Sequence, residues 1–152
     1  MSVSRPHQAP PLSPAEVKRL RADLRRVPFA ALLGIKFVAL ARGDVTMSLR
    51  VREETKQNNG TLHGGALGSL LDTASAFAVI STLRPGETTA TVDLTISYLR
   101  PIKKGQVTAR ARVLKEGRRL LTVAIDAEDA DGRLAATALC TFIRHQSGTS
   151  GE

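Results

Sequence analysis

Between Gln57 and Leu83 the chain reads QNNGTLHGGALGSLLDTASAFAVISTL, and a single carboxylate, Asp72, interrupts a run of otherwise apolar and small residues. A carboxylate in such a run must find a partner or have its pKa raised, because leaving water disfavours the charged form. Acids held this way cluster at working sites, where they serve as general bases or nucleophiles. Eight and seven residues earlier stand Gly64 and Gly65. At a helix start their N–H groups are unshielded and the helix dipole favours negative charge, so such a terminus can hold an oxyanion. Gly60-Thr61-Leu62-His63-Gly64 is not a nucleophile elbow, no HExxH pair exists, and the histidines are scattered at 7, 63 and 145. No metal or other cofactor is implied, and His63 reads as a loop-shaping hydrogen bonder rather than a base.

Spacing constrains how the acid and the helix start can cooperate. Eight helical residues rise roughly 12 Å, while a near-attack geometry spans only about 3 to 3.5 Å. A second copy packed antiparallel, with helix axes about 8 to 10 Å apart, could bring its Asp72 to this chain's Gly64. The sequence therefore predicts a site shared by two subunits. An acyl carbon needs its carbonyl polarised and an acid or activated water delivered to it; a simple thiol, with a pKa of about 8.5, supplies a leaving group that needs no strong general acid. The combination suits a thioester.

These residues must be positioned by the elements around them. From Ala66 to Leu83 apolar residues occur all round the helical wheel, which predicts a buried helix. Asp72 shares its face with Gly65, Gly68, Ser69, Ser75 and Ala76, while Leu67, Leu70, Leu71, Phe77 and Ile80 lie mostly away. Small residues there admit a ligand or a close backbone. Gln57 to Gly60 can turn the chain and cap that helix. Upstream, residues 1–12 read as a disordered tail. Ser13-Pro14-Ala15-Glu16 then reads as an N-cap, a first-turn proline and a capping-box acid. The helix that follows has a stripe of Val17, Leu20, Leu24 and Val27, with Lys18, Arg19, Arg21, Arg25 and Arg26 largely outside it. A short helical turn is expected over Pro28–Leu33, and two strands of a hairpin over about 34–41 and 45–52. After the central helix, alternating runs over 90–98, 107–113, 119–127 and 134–143 form a meander, with turns at Glu116-Gly117 and Asp131-Gly132. About five to six antiparallel strands with one long apolar helix predict an α+β architecture, a sheet curled around that helix, called a hotdog. The domain is expected to span 13–145, with 146–152 a second disordered tail.

Composition limits the alternatives. At 152 residues this is one domain with room for a real core. The net charge of +8 suggests an anionic partner, but residues 1–26 hold six basic and two acidic side chains, half of the excess, and 3% aromatics offer no stacking platform, so a nucleic acid is not expected. The lone Cys140 rules out an internal disulfide framework and fits a packed thiol in a reducing compartment. No run of 18 apolar residues is uninterrupted, which points away from a membrane and toward the cytoplasm.

GTLHGGALGSLLD followed by TATVDLTISYLRP resembles the PaaI-type hotdog acyl-CoA thioesterases, with the likeness extending from about Phe29 to Ile143. The resemblance implies a homodimer with continuous sheets, usually paired into a homotetramer, that hydrolyses acyl-CoA to acid and free CoA. By position, Asp72 matches the catalytic carboxylate and Gly64 the N–H that polarises the thioester. Gln57 stands where members have an amide that holds the carbonyl or the water, with Asn58 or Asn59 able to replace it. Thr91 falls where some relatives position the water with a hydroxyl. The CoA part is expected along Tyr98 to Lys103, with Arg100, Lys103, Lys104, Lys115, Arg118 and Arg119 as phosphate partners. His63, Asn59, Asp93, Tyr98, Arg100, Lys103 and Lys115 form the expected substrate-binding set. Phe29, Phe37 and Phe77 are expected near an acyl pocket. Two rivals remain on sequence alone, a non-catalytic acyl-CoA sensor and a hydratase.

Overall fold

The first helix begins where its capping signal stands. In the computed structural model, which describes residues 10–146, α1 spans Pro14–Arg25. The Ser13 N–H donates to Glu16 Oε2 at 2.8 Å, and the Glu16 N–H donates back to Ser13 Oγ at 3.3 Å. Leu20 and Leu24 are buried, while Lys18, Arg19, Arg21, Arg25 and Arg26 face solvent. Helix α2 covers Pro28–Leu33 and stops at Gly34, whose φ of 71° is the left-handed conformation that ends helices cheaply only at glycine. Strands β1 (Lys36–Ala41) and β2 (Asp44–Arg50) form the hairpin, and a single 3-10 turn over Glu53–Thr55 leads into the loop before α3 (Gly64–Ile80). Strands β3 (Glu87–Tyr98), β4 (Gln106–Glu116), β5 (Leu120–Glu128) and β6 (Leu134–Gln146) follow.

All six strands join one antiparallel sheet in the order β1-β2-β4-β5-β6-β3, so β3, next to α3 in sequence, lies on a free edge. The alternation of β5 buries Leu121, Val123, Ile125 and Ala127, and these meet Leu67, Leu70, Leu71, Ala74, Phe77 and Ala78 of α3 in one core. Cys140 sits in that core; burial, then the charges of Asp72 and Asp93, push its thiol up to about 12, which suits packing and not nucleophilic attack.

The structure corrects three expectations. Helix α3 is not buried all round: Ser69, Asp72, Thr73, Ala76 and Ile80 are half-buried and Gly65 is exposed, one continuous open stripe, although Ser75 is buried. Phe77 is buried, packing edge-on against Phe37 at 5.2 Å, and Phe29 faces solvent on α2, so these three rings do not gather around a pocket. Strand β3 does not alternate without interruption either. Its register with β6 slips between Thr91 and Asp93: Thr91 lies opposite Phe142, Asp93 opposite Thr141, and Val92 bulges out between them. Directly opposed residues share a face, so Thr91 points the same way as Phe142 while Leu94, Ile96 and Tyr98 beyond the bulge point the same way as Cys140, Ala138 and Ala136. The bulge inverts the parity of the strand and lets both ends address the helix.

Arg42 clamps α1 to this frame. Its guanidinium donates to the carbonyls of Pro10 at 2.9 Å and Ser81 at 3.0 Å and to Glu16 Oε1 at 2.8 Å, joining the N-terminal segment to the end of α3. The Ser13 backbone N–H, then Arg42, hold the Glu16 carboxyl down at about 2 against an ordinary 4.5. A depressed folded-state pKa supports the fold above the ordinary value and is lost as the group protonates. Exchange protection of the α1 amides, corrected for intrinsic rates, should therefore fall as the pH drops from 4.5 toward about 2, and Glu16→Gln should remove that dependence. The tails assigned to 1–12 and 146–152 lie mostly outside the described residues; at their inner ends Leu12 packs on the core and β6 runs to Gln146.

Candidate active site

The loop from Lys56 to His63 is tied down at both ends. Leu62 N–H donates to the Ile102 carbonyl at 2.7 Å, His63 N–H to the Thr55 carbonyl at 2.8 Å, and Gln57 N–H closes the turn on the Thr61 carbonyl at 2.8 Å. Sequence reasoning gave the helix cap to Gln57–Gly60; the structure gives it to His63, whose Nδ1 accepts the Gly65 N–H at 2.8 Å. A ring nitrogen that accepts this bond is unprotonated, so His63 acts as a cap acceptor at the helix start. With Gly65 engaged, the Gly64 N–H is the first-turn donor that finds no acceptor among the described residues.

Tyr98 crosses the same turn. Its hydroxyl donates to the Gly64 carbonyl at 2.8 Å, and a Cβ at Gly64 would meet its ring at 3.4 Å. A Cβ at Gly68 would lie 3.3 Å from Ile96 Cδ1. Part of the small-residue face is thus explained by close approach of β3 to α3, which sequence alone could not separate from space for a ligand.

Gln57, Asn59, Gly64, Tyr98 and Arg100 come together around one cleft of about 320 Å³, floored by Leu62 and Leu67. Lys103 stands beside it with Arg100, Lys104, Arg50 and Arg133 around a second hollow, where Asp129 and Asp131 offset part of the positive charge. Asp72 is two turns along α3 from Gly64, on the open stripe, and Thr91 Oγ1 donates to its Oδ1 at 2.9 Å. That contact exists because of the Val92 bulge. Asp93 and Lys115 do not join the cleft within one chain. They sit in one register row, Asp93–Thr141–Thr122–Lys115, on the sheet face away from α3. Thr61, missed by sequence reasoning, is buried behind Gln57; nothing in its own type or spacing marked it.

The arrangement can polarise a carbonyl oxygen at Gly64 and Gln57 and can hold a base at Asp72, but at two separated places on one helix. The thioesterase superfamily profile matches residues 59–136, a segment that begins in this loop and contains α3, Asp72, Thr91 and most of the sheet. The acyl-coenzyme A thioesterase 13 of Homo sapiens is 38% identical over 120 residues, covering 77% of this chain and 85% of that protein. Among solved structures, a thioesterase of Haemophilus influenzae superposes with a TM-score of 0.82 at 26% identity, covering 89% of this chain and 94% of its own. The E. coli PaaI protein gives a TM-score of 0.80 at 26% identity, covering 86% and 93%. The chain therefore belongs to the thioesterase superfamily, as a hotdog-fold thioester hydrolase of the PaaI type.

Proposed function

We propose that this enzyme hydrolyses acyl-CoA thioesters to the free acid and CoA at a site built from two copies of the chain. One observation carries the reading: the unengaged Gly64 N–H and the Asp72 carboxylate stand on the same helix, eight residues apart, each beside an open surface. A rise of roughly 12 Å keeps them from one acyl carbon unless a second helix runs alongside in the opposite sense. The free edge of β3, with Val92 and Tyr98 more than half exposed, favours antiparallel pairing with a second β3. That pairing would set the two α3 helices antiparallel and extend the sheet through the dimer, and two such dimers would form a homotetramer.

In this site the thioester oxygen accepts from Gly64 N–H and the Gln57 amide of one subunit. Asp72 of the other, held by Thr91, either removes a proton from water as its oxygen bonds to the acyl carbon or attacks that carbon itself. The C–S bond breaks and CoA leaves as a thiolate, which needs no strong acid. In the second route water then cleaves the acyl-aspartyl anhydride. Arg100 and Lys103 beside the cleft suit the CoA phosphates. Asp93 and Lys115, on the outer row, would reach substrate only from a neighbouring subunit.

A panel of fatty and aryl acyl-CoA esters, assayed for free thiol, tests the reading. Turnover of at least one ester is expected, with Asp72→Asn about a thousandfold slower. Esters that bind and stay intact would make the protein a sensor; water addition to enoyl-CoA without thiol release would make it a hydratase.

A further inference from the structure

A glutamine amide can present oxygen or nitrogen to a substrate with little change in shape, and the hydrogen bonds behind it decide which. Behind Gln57 that decision can be traced. The Thr61 backbone N–H can only donate, and it donates to Asn59 Oδ1 at 3.2 Å, so Asn59 must present its oxygen. Thr61 Oγ1 lies 2.8 Å from the same oxygen and gives its proton to it. The hydroxyl is then left with lone pairs alone, and the Gln57 group 2.7 Å away must be the nitrogen, Nε2. The relay runs one way, from Gln57 to Thr61 to Asn59. The second Nε2–H and the Oε1 of Gln57 find no partner among the described residues and face the cleft that Gln57 lines.

We infer that Thr61 is a positioning residue, which locks the Gln57 amide with an N–H available to the thioester oxygen. Thr61 is 7% exposed, so water has little access to take over its hydroxyl's place. The backbone of the loop does not depend on that hydroxyl: Gln57 N–H to the Thr61 carbonyl, Gly60 N–H to the Gln57 carbonyl at 3.0 Å and the Lys56–Leu62 bridge hold it independently. Thr61→Val, which keeps the shape and removes both bonds, therefore frees the amide to rotate and leaves the loop in place. Asn59 is cast as the anchor of the relay and not as a substitute for Gln57.

This inference rests on the reading that Gln57 polarises the thioester carbonyl, and the test separates the two. Thr61→Val, Thr61→Ser, Gln57→Ala and the Thr61→Val/Gln57→Ala pair are compared on an acyl-CoA that the wild type turns over. Thr61→Val should lower kcat about tenfold with KM within about twofold, since an oxyanion donor acts in the transition state. Thr61→Ser should restore kcat, and the pair should be no slower than Gln57→Ala alone. A slow Gln57→Ala beside a fully active Thr61→Val overturns the positioning role, as does full additivity in the pair or failure of serine to rescue. An unimpaired Gln57→Ala overturns the role of Gln57 itself, and this inference with it.

Discussion

Asp72→Asn should leave a folded protein that hydrolyses its acyl-CoA about a thousandfold more slowly, the range expected for loss of a proton-transferring or attacking carboxylate. The substitution is chosen for what it keeps. Asparagine retains an oxygen at the position that accepts from Thr91 Oγ1 at 2.9 Å, so the tie between α3 and the β3 bulge survives. It has nearly the same volume, and Asp72 is half-buried on a stripe of small neighbours, so packing changes little. What disappears is the ability to accept a proton or bond to the acyl carbon. KM should therefore hold while kcat collapses. Thr91→Val, which removes the hydroxyl and keeps the carboxylate, should cost far less, about tenfold. Equal losses in the two variants would mean that the pair acts by holding the fold together, and a thermal melt of each would show it.

Gly64→Pro should lower kcat by about a hundredfold or more, as loss of one oxyanion donor does, without unfolding the helix. Proline has no N–H, and Gly64 is the first residue of α3, the position where a missing N–H and a fixed φ are tolerated best. The residue before a proline must be extended, and His63 already is, at φ −63° and ψ 134°. The Cβ of the new ring would meet Tyr98 at 3.4 Å, an ordinary contact. Gly64→Ala brings the same contact and keeps the N–H, so it should remain active. If alanine costs as much as proline, the glycine serves the approach of Tyr98 and the oxyanion role is wrong.

The local signals of this chain were readable because they lie within a few residues. Ser13, Pro14 and Glu16 announce a capping box that the structure shows atom for atom, and Gly132, at positive φ, closes the turn read at Asp131-Gly132. Asp72 could be singled out because an acid within apolar neighbours is costly wherever it sits. Non-local geometry was not readable. The run Ala90, Val92, Leu94, Ile96, Tyr98 alternates perfectly in sequence and so conceals the bulge at Val92, which only the register against β6 exposes. On uninterrupted alternation Thr91 would face away from the helix, and its bond to Asp72 could not form. Likewise the cap passed from Gln57–Gly60 to His63 because the loop is tied to Ile102 and Thr55, and Ile102 is some forty residues further along the chain. The open stripe on α3 was misread for a related reason: hydropathy reports what a face avoids, and a stripe of small and apolar residues reads as core whatever lies against it.

The proposed two-subunit site is tested most directly by pairing two impaired subunits. Asp72→Asn and Gly64→Pro chains, co-expressed with different tags and purified as the hybrid dimer, each carry one lesion. With Asp72 of one subunit serving Gly64 of the other, the hybrid holds one site with both lesions and one with neither, and about half of wild-type activity returns. If each chain instead uses its own Asp72 and Gly64, both sites in the hybrid are broken, and the absence of recovered activity would contradict the account.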